Sequence, residues 1–201
     1  DFISVAYSPG KSSRVSSPFA AHWIREHTNS DVVFTVATRD MNKVAMQSLL
    51  MGASLMGLEN MVVVKGDGFS GEELKIVKAV DDFTPTALIK ASIEMNHGLD
   101  FKGLELRTPT SFCVGATIDL GREFNRELEL TRRKVKAGAQ YFLLQPLFEP
   151  GKLNSFVERY AELYGEDLTS PIFCGVQIMV PKSQMFGVIP EWVDEDLAKG
   201  R

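Results

Sequence analysis

Apolar, β-branched runs recur along the chain at a near-constant spacing, and that spacing restricts the fold more than any other feature. They begin near residues 2, 32, 61, 111, 141 and 172, so the interval is about thirty residues except for one near fifty. The stretches between them carry helical periodicity. One strand and one helix per interval is a βα repeat, whose strands run parallel. The clearest run is Glu59-Asn60-Met61-Val62-Val63-Val64-Lys65-Gly66-Asp67. Its continuous apolar character is that of a strand covered on both faces, and the Gly-Asp turn leaves a carboxylate at the C-terminal end, where α/β folds keep their chemistry.

The first strand is read over residues 2–7, followed by a polar loop over 8–17. Ser17 as N-cap and Pro18 as the first helical residue open a helix running through His27. A second strand over 32–38 ends in Arg39-Asp40-Met41-Asn42, where Asp40 or Asn42 caps the helix over 43–57. The third strand, 61–64, leads into a polar insertion over 68–82. Thr84 and Pro85 then start a helix that Gly98 ends. The fourth strand spans 111–117, and the helix after it places Phe124, Leu128, Thr131 and Val135 on one face before Gly138 stops it. The fifth strand, 141–145, is followed by a helix with Leu153, Phe156, Val157, Tyr160, Ala161 and Tyr164 inward, and the sixth strand covers 172–180.

The whole of 1–201 reads as a single domain of βα units. Six units fall short of an eight-stranded barrel of ~250 residues, so the period alone leaves both a doubly wound sheet and a (β/α) barrel open. The chain begins inside a strand without Met, and too few residues follow Pro181 for a further helix. The expectation is therefore that its N-terminus lies upstream and that a segment is absent near 186–187.

A hydrophobic fraction of 44%, a charged fraction of 24% and a net charge of -4 describe an ordinary globular domain with no basic field for nucleic acid. Apolar runs such as 32–37 are far shorter than the ~20 residues of a membrane span. The two cysteines, Cys113 and Cys174, sit in strand-like runs without a partner at ligand spacing and read as buried structural thiols, which fits a cytoplasmic protein. No metal site is expected. The glycine-rich fingerprints of dinucleotide-binding sheets and P-loops are missing, which favours a barrel that binds an extended cofactor across its strand tips.

Polar residues at strand C-termini are the candidate site: Tyr7, Ser12, Arg14, Thr38, Arg39, Asp40, Lys65, Gly66, Asp67, Thr117, Asp119, Gln145 and the stretch 177–183. Asp40, Asn42 and Asp119 read first as helix caps, and Lys65 and Lys134 as solvated side chains. His22, His27 and His97 form no cluster, so catalysis by histidine is not supported. Asp67 and Gln145 stand apart. Each ends or interrupts an otherwise apolar strand, where a polar side chain needs a partner or a cavity.

Taken together, Thr38-Arg39-Asp40-Met41-Asn42, Gly52-Ala53-Ser54-Leu55-Met56-Gly57, Lys65-Gly66-Asp67, Arg133-Lys134-Val135-Lys136-Ala137-Gly138-Ala139 and Gln145-Pro146-Leu147-Phe148 resemble the methylenetetrahydrofolate reductases over nearly the whole chain. The resemblance implies a (β/α)8 TIM barrel, incompletely represented in this chain. It implies FAD as cofactor and NAD(P)H as co-substrate, with hydride passed to 5,10-methylenetetrahydrofolate to give 5-methyltetrahydrofolate in one-carbon metabolism and methionine biosynthesis. A homo-oligomer is expected, with folate and a nicotinamide nucleotide as partners. Asp67 then matches the aspartate beside flavin and folate, and Gln145 the glutamine that bonds the substrate. Tyr7, Thr35, Lys65, Gly66 and Ala116 fall at cofactor-lining positions, and Glu127 and Lys134, seven residues apart on one helix, at positions that contact the FAD ribose and phosphates. Three departures accompany the match. The family's general acid, a glutamate on its first strand, falls before Asp1; Thr35 lies in the segment where the family commonly has His-Leu-Thr-Cys; and Ala6 stands where a Thr is usual. They motivate a competing reading, a catalytically silent or accessory flavin- or folate-binding homologue in a methyl- or electron-transfer complex.

Overall fold

The computed structural model describes residues 1–178 and 191–198. Six strands alternate with helices: β1 (Phe2–Val5), α1 (Ser17–His27), β2 (Asp31–Ala37), α2 (Lys43–Leu55), β3 (Asn60–Val64), α3 (Pro85–Asn96), β4 (Cys113–Ile118), α4 (Phe124–Lys136), β5 (Tyr141–Pro146), α5 (Pro150–Tyr164), β6 (Ile172–Gly175) and α6 (Glu191–Ala198). Strand order in the sheet follows the chain, β1 to β6. The ladders β1–β2, β2–β3, β3–β4 and β5–β6 are all parallel. This is the strand plan of a (β/α)8 TIM barrel, of which six strands are described. Among the described residues no helix is long and apolar enough to cross a membrane.

The chain divides into two compact units, residues 1–116 with 134–140, and residues 117–133 with 141–201. In the first, the β-branched runs of β2 and β3 are buried almost throughout, and Phe34, Val36, Met46, Leu50, Met61, Leu88 and Ile89 are inaccessible to solvent. Phe34 meets Phe112 edge to face at 6.1 Å between ring centres. In the second, Ile118, Leu128, Phe142, Phe156 and Tyr160 are fully buried. Each such side chain contributes roughly 1.5–3 kcal/mol by leaving water.

Helix ends follow the side-chain chemistry. Asn42 accepts from the Ala45 amide at 2.9 Å and caps α2, and Thr84 accepts from the Ala87 amide at 3.2 Å and caps α3. Ser17 is not a cap. It is the first residue of α1, and its buried hydroxyl instead donates to the Thr35 carbonyl of β2, tying helix to strand. Gly138 ends α4 at φ +105°, where a Cβ would lie 2.8 Å from Ile93 Cγ1. Positive-φ strain and the displacement of Ile93, a β-branched residue within α3, add, so Gly138→Ala is expected to cost about 2–5 kcal/mol, read as a drop in chemical-denaturation midpoint at unchanged slope.

β6 is shorter than its sequence suggests, and contrary to the expectation that too few residues follow Pro181 for a further helix, the eight-residue α6 lies there. Val176 and Ile178 are more than four-fifths exposed, and positions 179–183 and the 186–187 junction lie outside the described residues. Cys174 is exposed on β6, the last strand in the order, instead of buried, and Cys113 is half-buried, with burial pushing its thiol pKa up. Apolar neighbours in sequence indicate burial only when a layer covers that face, and sequence pattern does not show which layer reaches a terminal strand.

Candidate functional site

In the first unit the tips of β2 and β3 are joined by a charged network. The Arg39 side chain is only 7% exposed and forks onto Asp40, with Nε to Oδ1 at 2.6 Å and Nη2 to Oδ2 at 2.7 Å. Its third nitrogen, Nη1, donates to the Asp67 carbonyl at 2.7 Å, and the guanidinium lies 4.3 Å from the centre of the Phe69 ring. The Arg39 hydrogen bonds hold the Asp40 carboxyl below its ordinary range. Burial, first, and the neighbouring Asp40 charge push the Tyr7 phenol up to about 12, so its hydroxyl is protonated at neutral pH. Asp40 is thus an ion-pair partner and not the helix cap.

The turn after β3 is held from several sides. The Thr38 amide donates to Val64 O at 3.1 Å and the Arg39 amide to Lys65 O at 3.2 Å, which carries the β2–β3 ladder to the tip. Gly66 takes φ +87°, and a Cβ there would stand 3.2 Å from Ala37 Cβ and 3.4 Å from Arg39 Cβ. Lys65 and Asp67 on either side are exposed. The Asp67 carboxylate makes neither hydrogen bond nor ion pair among the described residues. Thr38 is buried with its hydroxyl unpartnered among them, while Thr35 is nearly buried within β2 and Ala116 fully buried in β4.

The insertion 68–82 is clasped by the first loop. Lys11 donates to Glu73 Oε2 at 2.6 Å and to the Gly68 carbonyl at 3.2 Å, and the Ser70 amide adds 2.6 Å to the same carboxylate oxygen. These bonds, Lys11 first, pull Glu73 down from 4.5 to about 2. The folded pKa is depressed, so the clasp contribution is complete above the unfolded carboxylate pKa and is lost as pH falls through the folded value. Proteolysis within 68–82 is therefore expected to stay slow from neutral pH down to about pH 4, and Glu73→Gln to speed it at neutral pH; equal cleavage of both proteins at neutral pH would contradict the clasp.

In the second unit the end of β5 and the β4–α4 loop enclose a cavity of ≈ 330 Å³, lined among others by Gln145, Phe148, Asp119, Arg122 and Lys152. Gln145 is exposed to it, and its amide makes no hydrogen bond among the described residues. Asp119 organises the loop, accepting from the Gly121 amide and from Arg122 Nε, each at 3.0 Å. It does not cap α4; Glu123 does so, accepting from the Asn125 and Arg126 amides at 2.9 and 2.8 Å. Glu127 is 2% exposed and accepts from the Asp119 amide at 3.3 Å. Lys134 is 9% exposed, so the reading as a solvated lysine does not hold.

Sequence reading named Arg39 only as a tip residue and passed over Lys11, Phe69, Glu73, Phe148 and Lys152. An Arg-Asp pair directly after a buried strand was the available signal, since a cation so placed needs a counter-charge within reach. Nothing in the sequence tied Lys11 to Glu73, which lie 62 residues apart.

Parallel strands in chain order, alternating helices, and polar residues at the strand C-termini define a protein of the (β/α)-barrel class. The family model for methylenetetrahydrofolate reductase matches residues 1–195, and the chain belongs to that family. A search of curated proteins found no match. Membership supports an oxidoreductase role on folate in one-carbon metabolism.

Proposed function

We propose that the protein is a flavin-dependent reductase that uses NAD(P)H and FAD to convert 5,10-methylenetetrahydrofolate to 5-methyltetrahydrofolate. The observation that carries this reading is the Asp67 carboxylate. Of the strand-tip acids Asp40, Asp67 and Asp119, it is the one left uncommitted among the described residues, at the end of a turn whose backbone is fixed.

The residues present suit the cofactor. Gly66 offers bare backbone for close approach, Lys65 and Lys134 supply positive charge for a pyrophosphate, and Glu127 supplies a carboxylate for ribose hydroxyls. Tyr7, Thr35 and Ala116 complete the cofactor lining in this proposal. Bound FAD would supply a two-electron carrier between nicotinamide and folate. Asp67 contributes a fixed negative charge that stabilises the cationic iminium form of the folate. Gln145 presents one donor and one acceptor group to the substrate, a pairing suited to the edge of a pterin ring. A homo-oligomer is part of the proposal.

The test is direct: titration of the purified protein with FAD, followed by anaerobic addition of NADH or NADPH. Saturable uptake and bleaching of the flavin absorbance are expected. A protein that stayed colourless and left added flavin oxidised would exclude the reductase and leave a non-catalytic homologue.

A further inference from the structure

Arg39 has no assigned role, yet it is the most highly coordinated side chain at the strand tips. We propose that Arg39 is a positioning residue that sets the direction of Asp67, with Asp40 as the counter-charge that locks Arg39 in place. The inference deepens the reductase reading and rests on it for what Asp67 acts upon.

Three features separate this role from plain fold stabilisation. First, the geometry uses the whole planar fork: two nitrogens go to Asp40, the third to the Asp67 carbonyl, and one face remains for Phe69. A lysine at this position offers one point of attachment and cannot reproduce it. Second, the Asp67 side chain has no bond of its own among the described residues. After Gly66, at φ +87°, the bond from Arg39 to the Asp67 carbonyl fixes the peptide plane that follows Asp67, and so anchors the Cα that carries the carboxylate. Third, the fastening of the insertion is separable. The Arg39 backbone carbonyl accepts from the Val80 amide at 2.7 Å whichever side chain the residue carries.

Burial explains why Asp40 belongs to the device. A guanidinium this far from water needs a carboxylate partner, and the fork supplies one with both oxygens engaged.

The experiment is a double-mutant cycle with Arg39→Lys and Asp67→Asn in the full chain, read as reoxidation of the reduced flavoprotein by 5,10-methylenetetrahydrofolate. Arg39→Lys keeps a charge beside Asp40 and so preserves folding; Arg39→Met is the second variant. Arg39→Lys is expected to slow the step about tenfold when Asp67 is present and less than about twofold when it is Asn, because a misdirected group that is already disabled loses nothing more. An equal factor in both backgrounds would overturn the proposal. Hydrogen–deuterium exchange over residues 65–70 supplies a readout independent of flavin. Exchange several-fold faster in both Arg39 variants is expected, and unchanged exchange overturns the positioning role whether or not flavin binds. Failure of FAD uptake by the unsubstituted protein removes the reductase reading alone.

Discussion

Asp67→Asn is expected to slow reoxidation of the reduced protein by 5,10-methylenetetrahydrofolate by roughly 10²–10³-fold, the range found when a preorganised electrostatic group is removed from a transition state. Stability should stay within about 0.5 kcal/mol of the parent, because the substitution alters an exposed carboxylate without a bonded partner and leaves its carbonyl free to accept from Arg39. FAD uptake is expected to change only a few-fold. The separation is the informative part: a large kinetic loss at constant melting temperature assigns Asp67 to chemistry. Equal losses in rate and stability would instead make it a structural residue.

Gly66→Ala, one residue earlier, is expected to act through the fold. Gly66 sits at φ +87°, which costs an L-residue on the order of 1–2 kcal/mol, and the new Cβ would press on Ala37 Cβ at 3.2 Å. Ala37 is fully buried at the end of β2 and has no rotamer through which to yield. Adding an overpacking penalty of about 1–3 kcal/mol gives a total near 2–5 kcal/mol, measurable as a lowered denaturation midpoint at constant slope. At Gly138 the obstacle is Ile93 Cγ1 at 2.8 Å, which must shift for any added Cβ to fit.

The βα order was legible because each element carries its own local signature. The apolar run 61–64, the Thr84-Pro85 start and the Gly98 and Gly138 stops all mark boundaries through backbone chemistry that acts within a few residues. The family was legible from motifs in a fixed order. The pairings were not. Whether Asp40 caps a helix or neutralises Arg39 depends on how deeply Arg39 is buried, and burial is set by segments distant in sequence, such as Phe69. Ser17 and Asp119 were misread for the same reason. A short polar side chain near a helix start has a default partner in its own backbone, and tertiary contacts, the Thr35 carbonyl for Ser17 and Arg122 with the Gly121 amide for Asp119, replaced it. Cys174 failed on the other side, as an apolar neighbourhood with no covering layer.

Asp67 and Gln145 stood out in the sequence as polar groups ending or interrupting apolar strands, and the proposed reaction draws on both. That proposal is most directly tested by reducing the FAD-loaded protein anaerobically with NAD(P)H and mixing it with 5,10-methylenetetrahydrofolate. Recovery of the oxidised flavin spectrum with stoichiometric formation of 5-methyltetrahydrofolate is predicted. A flavin that reduces but stays reduced in the presence of the folate, with no methyl product, would contradict it.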